Sequence, residues 1–410
     1  MIPEDWELLS IGSMGEVVAG KALAAKAPGL QRPYLRTKNV FDGRIDINDV
    51  LSMPMTDAEF ARYELRDGDV LLNEGQTLEL VGRCSIYQGE FPEPCAIQNQ
   101  LIRFRARSGV SPTFAAHLFR YCQKTGVFAR IALQTTSVAH LGVSRFQKLT
   151  LAWPVSETEQ RAIAAALSDV DALISALDRL ISKKRAVKTA AMQQLLTGKQ
   201  RLPGFSGEWE TRRLGDMGTF SKGHGLSKNE LDTSGVLPAI PYTAIYTDFD
   251  EIIKPWQIDN FVADTSTAVV IHSPHLLIAG SSNMLENIGK AAAFTGNRET
   301  AIGGDIILYK TAANVAFLSY LLNTRSHRER IISLAQGSTI CHVYAATFKD
   351  YEIPLPSVAE QTAIAAVLAD MDAEISALEA RREKTRRIKH GMMQELLTGR
   401  TRLGNEGESE

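Results

Sequence analysis

The chain has 410 residues, of which 44% are hydrophobic and 22% charged, and its 45 Lys and Arg against 47 Asp and Glu leave a formal net charge of −2. This is the composition of a globular protein long enough for two or three cores, and it excludes collagen-like, mucin-like and mostly disordered chains. No run of about 18 apolar residues, no secretion signal and no disulfide framework is visible, so we expect a cytoplasmic protein without a membrane partner. The near-zero charge also argues against a free-standing nucleic-acid binder.

Residues 1–156 are predicted to form a mixed α and β domain. Short apolar runs bounded by turn residues indicate buried strands at 69–72 and 100–104. A helix is expected over 113–125.

Residues 157–202 are predicted to form one long helix with a coiled-coil seam. Its apolar residues step alternately by four and three, which is the a/d spacing of two paired helices; they are Ile163, Leu167, Val170, Ile174 and Leu177. Ser156 with Glu159 forms a capping-box pattern, and Thr197-Gly198 supplies the glycine expected at a helix end. A helix of about 40 residues would be roughly 60 Å long.

The second half of the chain repeats the first. Residues 159–202 align without a gap on residues 360–403, a shift of 201, and 25 of these 44 positions are identical by direct count. Upstream, 134–140 aligns more faintly on 336–342. Further anchors are Trp6, Gly12 and Gly20 over Trp209, Gly215 and Gly223. Elsewhere the halves barely resemble each other, so a variable domain and a near-constant helix each occur twice.

Residues 203–356 therefore form a second mixed domain, with strands expected at 276–279 and 305–309 and a helix over 315–334. Residues 357–404 form the second long helix, followed by an acidic tail at 405–410. Its seam residues are Ile364, Leu368, Met371, Ile375 and Leu378. We expect an α+β protein in which two pseudo-repeated domains are separated by two long helices that pair as an antiparallel coiled coil.

Motifs for catalysis or metal binding are not recognisable. The glycine-rich segment 218–225 lacks the Lys-Ser/Thr of a phosphate loop, and the Asn/Asp-Pro-Pro-Tyr/Phe motif of amino-methyl transfer does not occur. The cysteines lack C-x-x-C spacing, and Pro274 interrupts His272-x-x-His275. We expect neither a metal site nor catalytic residues, and the duplication favours a recognition scaffold.

These residues carry a family resemblance over the full chain. Each variable domain opens with Trp-Glu and leads through Pro-x-x-x-x-Glu-Gln into a helix that ends in Leu-Leu-Thr-Gly. Tyr34-Leu35-Arg36, the stretch 240–245, the Gln-Gly-Ser-Thr at Gln336 and the run 353–356 fit the same pattern, although Leu151-Ala152-Trp153-Pro154 lacks the first Pro of Pro-x-Pro. The chain resembles the specificity subunit of type I restriction–modification systems.

The resemblance implies a non-catalytic subunit that binds double-stranded DNA. Each variable domain would be a target recognition domain reading one half of a bipartite, asymmetric site, and the helical pair would set the unread gap. Two copies of a DNA methyltransferase subunit would dock on the chain, joined by up to two restriction endonuclease and translocase subunits. The chain itself would bind no cofactor, since S-adenosylmethionine belongs to the methyltransferase and ATP and Mg to the restriction subunit.

Side chains with paired donors and acceptors read bases, and Lys or Arg positions phosphates. The candidates in the first domain are Lys21, Lys26, Arg32, Tyr34, Arg36, Lys38, Asn39, Gln134, Thr135, Thr136 and Ser137. Those in the second are Lys222, His224, Lys228, Tyr242, Thr243, Tyr246, Gln336, Ser338 and Thr339. His140 and His342 are in register and are either DNA contacts or domain-core residues.

Two alternatives remain open at the level of sequence. One is a self-contained, fused restriction–methylation enzyme whose motifs have diverged beyond recognition. The other is a coiled-coil assembly protein unrelated to DNA.

Overall fold

The computed structural model describes residues 2–23, 27–135, 137–226, 228–233, 235–263 and 268–403, with the side chain of Lys228 also outside the description. It divides into two compact units. The first consists of Met1–Asp178 with Arg381–Glu410, and the second of Arg179–Ala380. Each unit thus contains one variable domain and a segment of each long helix. In the described part of the chain, no helix is long and apolar enough to span a bilayer.

The first unit is built from short sheets and helices. Its strands are β1 (Trp6–Ser10), β2 (Gly15–Ala19), β3 (Leu30–Leu35), β4 (Val40–Phe41), β5 (Arg44–Ile45), β6 (Leu51–Met55), β7 (Val70–Asn73), β8 (Gly75–Gln76), β9 (Cys84–Ile86), β10 (Ala96–Ile97), β11 (Leu101–Ala106), β12 (Leu133–Gln134), β13 (Ala139–His140) and β14 (Thr150–Pro154). Its helices are α1 (Ile11–Met14), α2 (Asp57–Tyr63), α3 (Pro112–Lys124), α4 (Val127–Ile131), α5 (Val143–Lys148) and the start of α6 (Glu157–Leu195).

The second unit contains the remaining elements. Its strands are β15 (Glu210–Arg213), β16 (Gly218–Lys222), β17 (Leu237–Ile240), β18 (Ile252–Ile253), β19 (Asn260–Val262), β20 (Val269–Ile271), β21 (His275–Ala279), β22 (Ser281–Ser282), β23 (Ala291–Phe294), β24 (Thr300–Ile302), β25 (Ile306–Thr311), β26 (Cys341–His342) and β27 (Glu352–Leu355). Its helices are α7 (Leu214–Met217), α8 (Ala244–Thr247), α9 (Val315–Leu322), α10 (Arg325–Ser333), α11 (Ala345–Lys349) and most of α12 (Val358–Leu396).

The two variable domains share one topology although their sequences differ. The sheet β2-β11-β7-β9 of the first corresponds to β16-β25-β21-β23-β18 of the second. The parallel pair β10–β3 corresponds to β24–β17, and the antiparallel pair β1–β14 to β15–β27. This confirms the predicted α+β fold with two repeated domains.

One predicted helix is wrong. The span 315–334 is divided into α9 and α10, because Asn323 leaves the helix and its side chain accepts from the Ala291 N–H (3.1 Å) and donates to the Ala291 carbonyl (2.8 Å). Thr324 is extended and opens the next helix. The first domain has the same break between α3 and α4, at Thr125 and Gly126.

The long helices α6 and α12 contain 39 residues each, or about 58 Å. The glycines predicted to end them, Gly198 and Gly399, have φ of 69° and 72°, a conformation in which a Cβ would be strained. The capping box is only half formed: the Ser156 and Ser357 hydroxyls accept the N–H of Glu159 and Glu360, while the glutamate carboxylates bind elsewhere.

The predicted seam residues lie in two kinds of environment. Ile163 and Leu167 are fully buried in the aromatic core of the first domain, together with Leu396 and Leu397 of the C-terminal segment. Ile364 and Leu368 are likewise buried in the core of the second domain. The other seam residues are Leu177 and Ile375, which are buried, and Val170, Ile174, Met371 and Leu378, which are half-buried. The helices thus pack against their domains as well as along each other.

Candidate nucleic-acid interface

The Glu-Gln pair at the start of each long helix has a structural role. The buried Gln160 amide accepts the backbone N–H of Ser111, the N-cap of α3 (2.9 Å), and donates to the Pro154 carbonyl (3.0 Å). Gln361 does the same for Asn314, the N-cap of α9 (2.9 Å). A helix N-terminus leaves backbone donors unpaired, and these glutamines satisfy one of them.

Each glutamate of the same motif binds an arginine that follows the other long helix. In the first unit, Arg402 binds Glu159 (2.6 and 2.8 Å) and also Asp5. In the second unit, Arg201 binds Glu360 (2.5 and 2.6 Å). Hydrogen bonding to Asp5 and Glu159 raises the pKa of Arg402. The shift of 201 relates both partners, so the repeated sequence encodes the same clasp twice.

Buried charges fix the helices to each domain. In the first unit Asp171 of α6 binds Lys389 of α12 (2.5 Å) and Arg120 of α3 (2.9 Å). Burial alone would raise the pKa of Asp171, but Arg120 and Lys389 outweigh it and hold this pKa below its usual value.

The second unit has an equivalent network, in which Asp372 corresponds to Asp171 and Lys188 to Lys389 at the shift of 201 residues. Asp372 of α12 binds Lys188 of α6 (2.6 Å) and the Tyr320 hydroxyl of α9 (2.6 Å). Burial raises the pKa of Tyr320, and the Asp372 carboxylate adds to the shift. Each unit also has a second pair, Asp178–Arg382 in the first and Lys184–Glu374 in the second, and in both units the partner number on α12 falls as that on α6 rises. The helix segments within each unit are therefore antiparallel.

The repeated glycines Gly20 and Gly223 lie where the chain after the second strand of each domain passes close to another backbone segment. A Cβ on Gly20 would overlap the backbone of Ile97 and Gln98, and one on Gly223 would overlap the carbonyl of Gly303. The next residues, Lys21 and His224, donate their N–H to Ile97 and Ile302. Close backbone approach explains the glycine at both positions.

In the second domain these elements bring several predicted residues together. Lys222 binds Asp305 (2.8 Å), whose other oxygen accepts from the Ser281 hydroxyl (3.1 Å). Hydrogen bonding from Lys222 lowers the pKa of Asp305 despite partial burial. Ser281 pairs with His342 across β22 and β26. Lysine, carboxylate and imidazole thus form one polar cluster.

Tyrosines lie beside this cluster. The rings of Tyr242 and Tyr246 contact edge to face with centroids 6.3 Å apart, and Tyr242 is 37% exposed. Burial raises the pKa of Tyr246, which interacts with Ser282 as well as with Tyr242. Ser282 adjoins Ser281 of the cluster, so the predicted segments 222–224, 242–246 and 336–342 converge at one end of the second domain.

The first domain places three predicted residues in its interior. Lys21 is 8% exposed and bound to Glu59, Asn39 is 1% exposed and bonded to the carbonyls of Asp46 and Asp49, and Tyr34 is 3% exposed in a core cluster. Their groups are occupied by the protein, so we remove these three from the candidate surface.

The other predicted cations that the structure describes in the first domain are at least partly exposed, and they are paired. Arg32 binds Asp57 (2.9 Å) and lies over the Phe60 ring, and Arg36 and Lys38 both bind Asp49 (2.7 Å). The Glu59 and Asp49 carboxyls have lowered pKa values, chiefly through hydrogen bonds from Lys21 and Lys38. Contact of these cations with phosphate would require exchange of a carboxylate partner.

The remaining predicted residues are mostly exposed. Gln134, Thr135, Ser137, His224, Gln336, Ser338 and Thr339 are exposed and Thr243 is half-buried, whereas Lys26, Thr136, the Lys228 side chain and the tail 405–410 lie outside the described residues. His140 is half-buried and binds Glu74 through Nδ1 (2.9 Å). Contact of these residues with DNA stays a prediction.

Sequence reasoning missed the residues that complete each cluster. In the first domain these are Glu74 and the turn 98–100, and in the second Ser281 and Asp305. Glu74 donates its N–H to Gln100 and accepts from Leu141, just as Gly280 donates to Asp305 and accepts from Val343. The sequence indicates these residues only weakly, because they are simply polar residues next to predicted buried strands.

Comparison with known proteins gives the family. The model of the type I restriction modification DNA specificity domain matches residues 3–184 and again residues 206–386. The type I restriction enzyme MjaVIII specificity subunit of Methanocaldococcus jannaschii is 21% identical over 424 residues, which cover 98% of this chain and 95% of that protein.

Solved structures agree on the fold. The S subunit of a type I restriction–modification system from M. genitalium superposes with a TM-score of 0.60 at 16% identity, covering 96% of each chain. A chain from a study of assembly and conformational transition of the type I R-M system gives 0.59 at 17% identity, covering 98% of this chain and all of that one. With the specificity-domain model matched in both halves, this chain belongs to the type I restriction–modification DNA specificity family.

Proposed function

We propose that the chain reads a bipartite, asymmetric DNA site, with one half-site bound by each variable domain. The observation that carries this proposal is the contrast between the two kinds of segment. The clasp, the glutamine cap and the buried ion network recur at a shift of 201 residues, whereas the polar clusters differ between the domains. To recognise two different half-sites, the two domains need different base-contacting residues on the same fold.

The constant segments would present the same surface twice. Two equivalent surfaces suit two copies of one partner, because identical partners need identical docking sites. We infer that two methyltransferase subunits dock here, with up to two restriction subunits joining them. In that assembly S-adenosylmethionine, ATP and Mg belong to the partners, and this chain contributes recognition but no catalytic residue.

The long helices would set the unread gap. At about 58 Å, each exceeds one turn of DNA, which is about 34–36 Å. Each helix contributes residues to both units. Its length therefore limits how far apart the two half-sites lie.

The test is methyl transfer to DNA by the purified chain, alone and with co-purified partner subunits. We expect turnover only with partners, and adenine methylation in the source genome should show a two-part motif with a fixed gap. Turnover by the chain alone would contradict the proposal and favour a fused enzyme. Because many surface cations are paired, we also expect weak, salt-sensitive DNA binding by the isolated chain.

A further inference from the structure

A turn of three amide residues, Gln98-Asn99-Gln100, joins β10 to β11 in the first domain. Its backbone is fixed on three sides. Gln98 N–H donates to Leu35 (2.9 Å), Asn99 N–H donates to Lys21 (2.9 Å), and the Gln100 carbonyl accepts from Glu74 (2.8 Å). The turn therefore lies where the end of β3 meets the segments that follow β2 and β7.

The three side-chain amides are half-buried, and within the described part of the chain none of them makes a hydrogen bond to protein. Their neighbours differ in this respect. Lys21 and Arg36 are bound to carboxylates, and Asn39 is fully used inside the domain. An amide without a protein partner can bind a ligand without giving up an internal hydrogen bond, so these amides are available for recognition.

Gly75 positions the last of the three. The amide oxygen of Gln100 lies over Gly75 where a Cβ would otherwise be, and the His140 ring is next to the same position (3.2 Å). His140 is in turn held by Glu74 (2.9 Å). The missing side chain at Gly75 thus makes a place for the Gln100 amide beside an oriented imidazole.

The corresponding turn of the second domain makes two of the same backbone hydrogen bonds but has different side chains, and its Asp305 has a positive φ of 63°. Gly303 N–H donates to Ile240 (2.9 Å) and the Asp305 carbonyl accepts from Gly280 (2.7 Å), but the sequence is Gly303-Gly304-Asp305. The turn thus lies at the same place in both domains but carries different side chains, which fits domains that read different half-sites. Asp305 is bound to Lys222, so no free amide occupies this turn.

We propose that the turn Gln98–Gln100 is a base-reading element of the first domain and that it reads A·T base pairs. An amide offers a donor and an acceptor side by side, which match adenine N7 and N6 in the major groove. Gly75 acts as a positioning residue for Gln100. This inference rests on the proposed function, because it assumes that the first domain reads a half-site.

The experiment maps methylated sites in cells that express the full chain with its partner subunits. The variants are Asn99→Ala, Gln100→Ala and Gly75→Ala, the last of which displaces the flexible end of Gln100 and also crowds the His140 ring. We expect each to relax one A·T position of a single half-site, with discrimination there falling about 10- to 100-fold. Gly75→Ala and Gln100→Ala should relax the same position, and the other half-site and the gap should not change.

Gln88→Ala is the matched control, since Gln88 is an exposed glutamine of the same domain outside the turn. Thermal unfolding and co-purification of partners verify that each variant folds and assembles. An unchanged motif in all three variants, or relaxation at a G·C pair, would overturn the inference while leaving the bipartite motif intact. If the wild-type map shows no bipartite motif, the proposed function itself fails.

Discussion

Single residues of the repeated motif stabilise the fold by satisfying groups that the chain cannot otherwise pair. Gln160 is 1% exposed and bonds to the N-cap of α3 and to the strand β14 that leads into α6. A glutamine is required because one oxygen must accept and one nitrogen must donate. Neither a hydrocarbon nor a carboxylate of the same length does both.

We therefore expect Gln160→Ala to destabilise the chain by about 1–3 kcal/mol, since it leaves a buried backbone N–H unpaired. Chemical denaturation monitored by circular dichroism measures the change. Gln193→Ala, at an exposed glutamine of the same helix, should be nearly neutral. Equal effects of the two changes would show that the capping bond does not contribute.

Buried histidines make the stability depend on pH. Burial, with Arg120 and Lys389 nearby, lowers the pKa of His117 to about 4, although Asp171 and Asp42 act in the opposite direction. Below about pH 6.5 the His117 imidazole becomes protonated in the unfolded chain but stays neutral in the folded chain. Stability is therefore complete above about pH 6.5 and is lost as the pH falls toward 4.

Between pH 7 and pH 5, His117 should account for a loss of about 2 kcal/mol. The measurement is urea denaturation at both pH values, in wild type and in His117→Gln, which should lose less on acidification. His390→Gln, at an exposed histidine of α12, serves as control and should keep the full loss. If His117→Gln showed the wild-type pH dependence, the histidine would be protonated or accessible in the folded chain.

Residue roles were only partly predictable from the sequence. Trp6, Gly20 and their repeats were identified correctly as anchors because each occurs twice at matching positions. Lys21 was assigned to the surface because its partner, Glu59, lies 38 positions away and the sequence does not show that they meet. Ion pairing between distant residues decides which cations are available, and no local pattern records it.

At the level of elements, the antiparallel register of the long helices is set by pairs of opposite charges. In the first unit Asp178 of α6 binds Arg382 (2.9 Å), and Asp171 binds Lys389. In the second unit Lys184 binds Glu374 (2.7 Å). These pairs advance along one helix as they retreat along the other, so each unit fixes its own register.

An insertion of four residues after Leu177 therefore tests the helices as a spacer. It lengthens α6 by about 6 Å, and a matching insertion after Leu378 lengthens α12 equally. The pairs Asp171–Lys389 and Lys188–Asp372 are kept, whereas Asp178, which follows the first insertion, is separated from Arg382. We expect a longer gap in the methylated motif and unchanged half-sites, most clearly with both insertions. Methylation mapping gives the result, and a change in the half-sites themselves would contradict the spacer role.

The elements themselves were largely predictable. The 3.5-residue periodicity of the seam residues identified both long helices, although these end at Leu195 and Leu396 and not at the predicted limits 202 and 404. The pieces of the variable domains were harder, because strands such as β8, β13 and β26 have two residues each and carry no periodic signal. The break after α9 depends on a tertiary hydrogen bond from Asn323, which the apolar run 315–322 does not reveal.

At the scale of the whole molecule, both units are held together by the same arginine–carboxylate contacts. Arg402 follows α12 and binds Asp5 near the start of the chain, while Arg201 follows α6 and binds Glu360. The clasp, the glutamine cap and the ion network therefore join each variable domain to α6, α12 or the residues that follow them. A variable domain can therefore be exchanged for another that supplies the same contact groups, without any change in the long helices or the other domain.

Exchange of residues 1–156 for the corresponding domain of another family member should therefore change one half-site only. The incoming domain must supply an acidic residue for Arg402 and an N-cap N–H for Gln160, so that the clasp and the cap re-form. Methylation mapping with the partner subunits should show one new half-site, the old second half-site and the same gap. As control, transfer of residues 203–356 should change the other half-site. Retention of both original half-sites after the first exchange would show that recognition does not reside in the variable domains.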